Sequence, residues 1–257
     1  MKTVLTFSGG IDSTYLLWKL LSETQDEITA IFISSDNLSQ TDFNRYDLRA
    51  FRGSSQATAD ASAQWLQSNI RSFTYVVQTF DSQYAPRGVR NVNSPQTYLT
   101  RFAVPRINSG EFDRLICTSE KENDGASNGG TIDVRRPGSM AARDIFAQSA
   151  TRGSIEFPLI AANYTQANAL TEMPSDLLNI VDHCTLEDNS YKCKKKRWFQ
   201  NLLDQGKTPA QCYDAWYASC TNASVGKWFS MKFWIENTQP TDQFTWAIPE
   251  WPTSYSA

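Results

Sequence analysis

Seven residues near the start of the chain, Ser8-Gly9-Gly10-Ile11-Asp12-Ser13-Thr14, combine two glycines, three hydroxyls and one carboxylate. Glycines at such a place let the backbone turn tightly and approach a ligand with no Cβ in the way. The string lies between a β-prone run at 2–7 and a helical apolar pattern carried by Leu16, Leu17, Leu20 and Leu21. A helix starting there presents free N–H groups and the positive end of its dipole, which together make an anion site. Ser8, Ser13 and Thr14 add hydroxyl donors. Asp12 by itself would repel a phosphate, and it makes sense where a divalent cation bridges carboxylate and phosphates. The plainer alternative is a capping turn, with Asp12 or Ser13 as the N-cap of an amphipathic helix. A Walker-type loop does not fit: Gly206-Lys207-Thr208 has Asn201 where the first Gly belongs, and Gly226-Lys227 is followed by Trp228.

Composition narrows the chemistry further. A single histidine, His183, in 257 residues removes most Ser-His-Asp, His-based acid/base and multi-His metal schemes. Five cysteines are an odd and sparse count, against a disulfide framework. Lys and Arg total 24 against 27 Asp and Glu, a net charge of -3, which argues against a sequence-blind nucleic-acid coat, and no nucleic-acid partner is expected. No apolar run approaches the roughly 20 residues that span a bilayer. No signal-peptide h-region or cleavage site follows the first residues. The sequence therefore predicts a cytoplasmic protein with no membrane partner.

The elements that must position the loop alternate, as in a parallel sheet covered by helices. Strands are expected at 2–7, 28–33, 73–80, 115–118 and 155–159. Helices are expected at 13–21, 58–70 (Ala59, Ala63, Trp65 and Leu66 facing inward), 96–108 and 140–150, with Pro105 kinking or ending the third. Loops fill 37–56 and 81–97. Residues 119–139, rich in Gly, Asn and Asp, are too long for a mere connection. From 165 to 220 the pattern is mostly helical, interrupted at Pro174, at 193–197 and at Pro209. Trp228, Trp234, Trp246 and Trp251 mark 225–257 as an extended appendage packed on the body. The expected organisation is an α/β unit over 1–160, a mainly parallel sheet with helices on both faces. A small helical region over 161–224 follows, and then the Trp-rich end over 225–257.

The Ser-Gly-Gly-x-Asp-Ser string on an N-terminal strand–loop–helix resembles the PP-loop ATP pyrophosphatases, of adenine nucleotide alpha hydrolase-like fold. These enzymes cleave ATP between its α- and β-phosphates, adenylate a carboxylate or carbonyl oxygen, and release pyrophosphate. The resemblance implies ATP and magnesium as cofactors, with ATP on Ser8, Gly9, Gly10, Ile11, Asp12, Ser13 and Thr14. It places Ser35 and Asp36, after the second strand, near the adenosine, and makes Asp12 and Ser13 the catalytic pair. Within the superfamily the chain looks like 7-cyano-7-deazaguanine synthase, a ligase that turns 7-carboxy-7-deazaguanine and ammonia into the nitrile on the route to queuosine-type bases. Gly130-Thr131-Ile132-Asp133-Val134-Arg135 matches that family's Gly-Tyr-Pro-Asp-Cys-Arg in Gly, Asp and Arg, and Phe157-Pro158-Leu159 resembles its Thr-Pro-Leu. On this reading Asp133 accepts hydrogen bonds from the cyclic amide and amine of a deazaguanine, and Arg135 holds its carboxylate. The plain alternative for the two is a surface ion pair. Glu120, Glu122 and Asp124 could contribute a magnesium ligand, but three acids in a loop read best as solvated. The family precedent implies a homodimer.

The departures matter as much. The family's zinc site has four cysteines, a Cys-Gly-x-Cys-x-x-Cys core before an Arg. Here only Cys184 and Cys193 survive, with Ser190 and Lys196 at the outer core positions. Structural zinc wants four Cys or His ligands, so we expect no zinc, with helix packing in its place and Lys192–Arg197 a solvated face. A Lys usual after the Pro-Leu pair is also missing. Tyr164 and Thr165 stand nearest, and Lys121, Arg135, Arg136 and Arg143 are the candidate substitutes. Cys117 reads as a small buried hydrophobe. Two rivals stay open: a PP-loop enzyme with another acceptor (base thiolation, amide formation or deazaguanine conjugation), and a nucleotide-binding module without catalysis.

Overall fold

A computed structural model of the chain describes residues 1–34, 56–84, 95–118, 138–181, 199–212 and 214–215. Five parallel strands, β1 (Lys2–Thr6), β2 (Glu27–Ser34), β3 (Thr74–Thr79), β4 (Arg114–Ile116) and β5 (Ser154–Glu156), form one sheet in the order β3-β2-β1-β4-β5. The helices include α1 (Ile11–Glu23), α2 (Gln56–Asn69), α3 (Pro95–Asn108), α4 (Gly138–Ser149), α5 (Pro158–Ala161), α6 (Gln166–Glu172) and α7 (Ser175–Val181). Residues 199–204 and 209–212 are also helical. The expected α/β class, parallel sheet and two helical layers are all present.

The period-2 alternation of the strands explains the layers. Leu5 and Phe7 of the first strand region and Ile28, Ala30 and Phe32 of β2 join a core with Leu16, Leu17, Leu20 and Leu21 of α1, Ala59, Ala63 and Leu66 of α2, Ala169 of α6 and Leu177 and Val181 of α7. Val4, Ile31, Ile33, Leu115 and Cys117 face the opposite core, built with Tyr98, Leu99, Phe102 and Ile107 of α3 and Ala142 and Phe146 of α4. Each fully buried Leu or Phe contributes about 2 kcal/mol. Residues 164–181 thus share the core of α1 and α2. Among the described residues, no helix is long and apolar enough to cross a membrane.

Several boundaries differ from expectation, for identifiable reasons. Helix α3 runs through Pro105 to Asn108. The exposed Pro105 removes a single N–H, while Phe102, Ala103, Val104 and Ile107 bury around it. The fifth strand stops at Glu156, because Pro158 opens a short helix from its first turn instead of extending a ladder. Trp65 is half-buried, not core: its indole N–H donates to Asp176 Oδ2 at 2.9 Å. The Trp-rich end lies outside the described residues.

Near the amino ends of the strands a buried ionic cluster fastens the sheet. The Arg114 guanidinium meets Asp26 and Glu156, its Nε donates to Thr3 Oγ1, and Thr3 Oγ1 donates to Asp26 Oδ2. Burial alone would raise the Asp26 carboxyl, but hydrogen bonds from the Met1 amino group, Arg114 and Thr3 outweigh it and hold that carboxyl below the usual carboxylate range. Removing one partner leaves the other charge buried and unpaired. Asp26→Asn is therefore expected to lower stability by about 3 kcal/mol at neutral pH, measured by urea denaturation. A depressed carboxyl stabilises the fold fully above its unfolded value of about 4 and loses that effect as pH falls through the folded value. The gap between wild type and variant should therefore close in acid.

Candidate nucleotide site

The order β3-β2-β1-β4-β5 reverses between β1 and β4. In open α/β sheets, ligands bind in the crevice at the carboxyl ends of the strands where the order reverses. The segment leaving β1 there is the one singled out by sequence. Residues 7–10 follow β1, and beside them Thr118, just past β4, shares a 3.0 Å hydrogen bond between its Oγ1 and Thr6 Oγ1.

Glycine geometry shapes the loop. Gly9 has φ +69° and lies so close to α2 that a Cβ would fall 2.5 Å from Ala59 N and 2.6 Å from Ala59 Cα. Only glycine meets both conditions. Gly10 is the N-cap of α1, with φ -79° and no side-chain cap. The capping alternative is thus corrected: Asp12 and Ser13 are the second and third residues inside the helix, because the glycine turn lets α1 begin at Ile11. The first helical bond is Thr14 N–H to Gly10 O. The N–H groups of Ile11, Asp12 and Ser13 make no hydrogen bond among the described residues.

The serine hydroxyls bond within the loop itself. Ser13 Oγ–H donates to Gly10 O at 3.1 Å, and Ser13 Oγ accepts from Ser8 N–H at 3.2 Å. Ser8 Oγ accepts from Gly10 N–H at 3.3 Å and lies 3.1 Å from Ser13 Oγ. With one proton per hydroxyl, Ser8 donates to Ser13. Both hydroxyls brace the loop, and backbone N–H groups are left as the outward donors. Thr14 is fully buried, its Oγ1 without a partner among the described residues.

Asp12 is half-buried, and its Oδ1 accepts a 3.0 Å hydrogen bond from the Tyr164 hydroxyl. Tyr164 is placed by the two short helices around it. Asn163, at φ 53°, ends α5 in the left-handed conformation. Asn163 N–H then bonds Ile160 O, and Tyr164 N–H bonds Leu159 O at 2.9 Å, the paired pattern of a Schellman C-cap. Thr165 then caps α6, its N–H donating to Asn168 Oδ1. The Tyr164 ring stacks on Tyr15 of α1, with centroids 4.7 Å apart. The sequence noted Tyr164 only as standing near an absent Lys. The signal for its placement was local: an Asn suited to φ > 0 between the Pro158 helix start and the Thr165 cap.

Of the residues expected at the site, Ser8 to Thr14 are together on the loop, and Phe157-Pro158-Leu159 joins them through α5 and Tyr164. Ser35, Asp36, Asp133, Arg135, Cys184 and Cys193 lie outside the described residues, as do His183, Lys121 and Arg136. Arg143 packs its guanidinium over the Phe157 ring at 4.4 Å. Cys117 is buried as expected, and burial pushes its thiol up to about 12. It stays protonated near neutral pH and is a poor nucleophile.

No protein-family model and no curated protein matches the sequence. Among solved structures the chain is similar to the U34-tRNA thiolase NcsA from Methanococcus maripaludis, described with its [4Fe-4S] cluster. That likeness is 12% identity and a TM-score of 0.40 over 85% of this chain and 72% of the other. It is also similar to a predicted subunit of tRNA methyltransferase from Methanocaldococcus jannaschii, at 13% identity and a TM-score of 0.35 over 82% of this chain and 92% of the other.

The glycine contacts give a direct test of the loop. Gly9→Ala is expected to lower stability by about 3 kcal/mol, from the left-handed φ and the clash together. Adding Ala59→Gly should restore little, since the two nearest atoms are backbone. Gly10→Ala, where the nearest atom to a Cβ is Ser8 Oγ at 3.4 Å, should lower stability by less than about 1 kcal/mol. Urea denaturation of the three variants checks the ranking.

Proposed function

We propose that the chain is an ATP-dependent, AMP-releasing ligase of PP-loop type. The observation that carries this reading is the uncapped amino end of α1, with three N–H groups open beside Asp12 at the point where strand order reverses. Unpaired helix N–H groups suit phosphate oxygens. The ATP phosphates lie on the 8–14 loop, the pyrophosphate portion against the N–H groups of Ile11, Asp12 and Ser13. Ser8 and Ser13 keep the loop in shape, and Ser35 and Asp36 border the adenosine. Asp12, with Oδ2 unbonded among the described residues, fits a divalent cation, and magnesium bound there would neutralise phosphate charge.

The acceptor is 7-carboxy-7-deazaguanine, recognised by Asp133 and Arg135. Its carboxylate attacks the α-phosphate to give an acyl-adenylate and pyrophosphate. Ammonia displaces AMP to form the amide. The amide oxygen attacks the α-phosphate of a second ATP and releases pyrophosphate, and loss of AMP and the two amide protons leaves the nitrile. Positioning and fixed dipoles supply the catalysis, so a chain with one histidine suffices. What supports this acceptor is the 130–135 and 157–159 passages. Zinc has no part in the scheme, and the chain works in the cytoplasm, as a homodimer.

A second reading, base thiolation on the same loop, is disfavoured by Cys117, a buried and protonated thiol. Mass spectrometry after incubation with ATP, magnesium, ammonium and 7-carboxy-7-deazaguanine should find the nitrile. An accumulating amide would assign a shortened reaction, and ATP bound with no AMP formed would assign a binding module. Asp12→Asn and Ser13→Ala should each abolish pyrophosphate release, and wild-type rates in both would discard the ATP site.

A further inference from the structure

We propose that Tyr164 is the positioning residue of the nucleotide site: its hydroxyl holds one oxygen of Asp12 so that the other is free, and fixed, for the divalent cation that accompanies ATP. The proposal rests on the ATP-site reading above. A phenol O–H donating to Oδ1 requires Asp12 as an acceptor there and leaves Oδ2 with no hydrogen bond among the described residues. A half-buried carboxylate with no fixed partner samples more than one rotamer, and one donor on one oxygen removes much of that freedom. Tyr164 can supply it because it is itself fixed. It is 2% exposed, lies between the α5 C-cap and the α6 N-cap, and stacks on Tyr15.

The hydroxyl is not needed to dock this segment. Helix α6 is tied to α1 independently: the Tyr15 hydroxyl donates to Glu172 Oε2 at 2.8 Å, and Lys19 Nζ lies 3.0 Å from the same oxygen. Burial, and then the bond to the Glu172 carboxylate, raise the Tyr15 phenol above its usual range, so this tie persists at ordinary pH. Apolar packing of Leu159, Ala169 and Met173 adds to it. The Tyr164 hydroxyl therefore has Asp12 as its consequence, not the fold. It also differs in kind from a lysine at this place. A neutral donor orients the carboxylate without neutralising it, which keeps the full negative charge for a cation.

Titration calorimetry on the full chain with α,β-methylene-ATP, in magnesium and again in EDTA, tests this. Tyr164→Phe keeps the ring and removes only the hydroxyl. It should lose about tenfold in nucleotide affinity in magnesium, in line with loss of a partner that orients a metal ligand, and nothing in EDTA. Asp12→Asn should lose at least as much in magnesium, and adding Tyr164→Phe to it should change nothing further. Asp12→Glu, which moves the carboxylate off the hydroxyl, should copy Tyr164→Phe and serves where Tyr164→Phe unfolds on heating before the others. Equal losses with and without magnesium would make Tyr164 structural and overturn the proposal. So would a wild-type response in Tyr164→Phe, or an undiminished loss in the Asp12→Asn background. If Asp12→Asn loses its magnesium response while Tyr164→Phe keeps it, the ATP site stands and this proposal alone falls. If wild type binds nothing in either condition, both fall.

Discussion

At Gly9 the backbone turns with φ +69° while its Cα lies against the backbone of Ala59, a place where any side chain would overlap the first turns of α2. That contact sets where α1 can begin. The chain leaves β1, reverses within residues 7–10, and starts its helix at Ile11 with a glycine in the N-cap position. A serine or aspartate at Gly10 would have satisfied an N–H with its own oxygen. Glycine satisfies none, and the two neighbouring serines bond one another, Gly10 and the Ser8 amide instead. Helix stability is given up at this end, by only a few tenths of a kcal/mol relative to a good cap. The open donors and the positive end of the dipole are what that loss leaves exposed.

An aspartate in the first turn of a helix is ordinary, since the dipole favours it by up to about 1 kcal/mol. Next to an anion site it is an obstacle, and a cation resolves the conflict only if the carboxylate faces the right way. The fold answers from a distant part of the chain. Pro158 stops the fifth strand and starts α5, Asn163 stops α5 in a left-handed turn, and Thr165 starts α6. Tyr164 emerges between these caps, pointed at Asp12. The segment that follows β5 thus reaches the 8–14 loop through Asp12 as well as forming a layer of the core.

This division explains what could be read in advance. Alternation in 2–7 and 28–33 and the leucines of α1 carry strong periodicities, so the layers and the strand–loop–helix at Gly9 were legible. Local signals went astray where packing overrode them: α3 continues past Pro105 because its apolar face is buried on both sides of that residue, and the fifth strand ends early at Pro158. The Asp12–Tyr164 bond spans 152 residues, and Arg114 reaches Asp26 and Glu156 across 88 and 42. No periodicity encodes such pairs. Only the completed sheet brings them together. The direction of the Ser8 and Ser13 hydroxyls was also beyond reach, because proton sharing inside a loop depends on ångström-level geometry. Asp133, Arg135, Cys184 and Cys193 rest on motif likeness alone.

The two ends of the sheet carry opposite kinds of polar structure, and this bears on the chemistry. Near the amino ends of β1 and β4, Asp26, Arg114 and Thr3 bond one another, with the Met1 amino group and the partly exposed Glu156 completing the cluster. At the carboxyl ends, the polar groups are left incomplete: three N–H groups without partners and a carboxylate bonded through one oxygen, among the described residues. An incomplete set fixed in advance is worth more to a transition state than to water, because it does not reorganise when charge develops. Among the described residues, the buried Cys117 thiol just past β4 stays protonated near neutral pH. A site made of fixed dipoles and an oriented carboxylate suits phosphoryl-oxygen displacement, where charge moves between oxygens and no protein nucleophile is required.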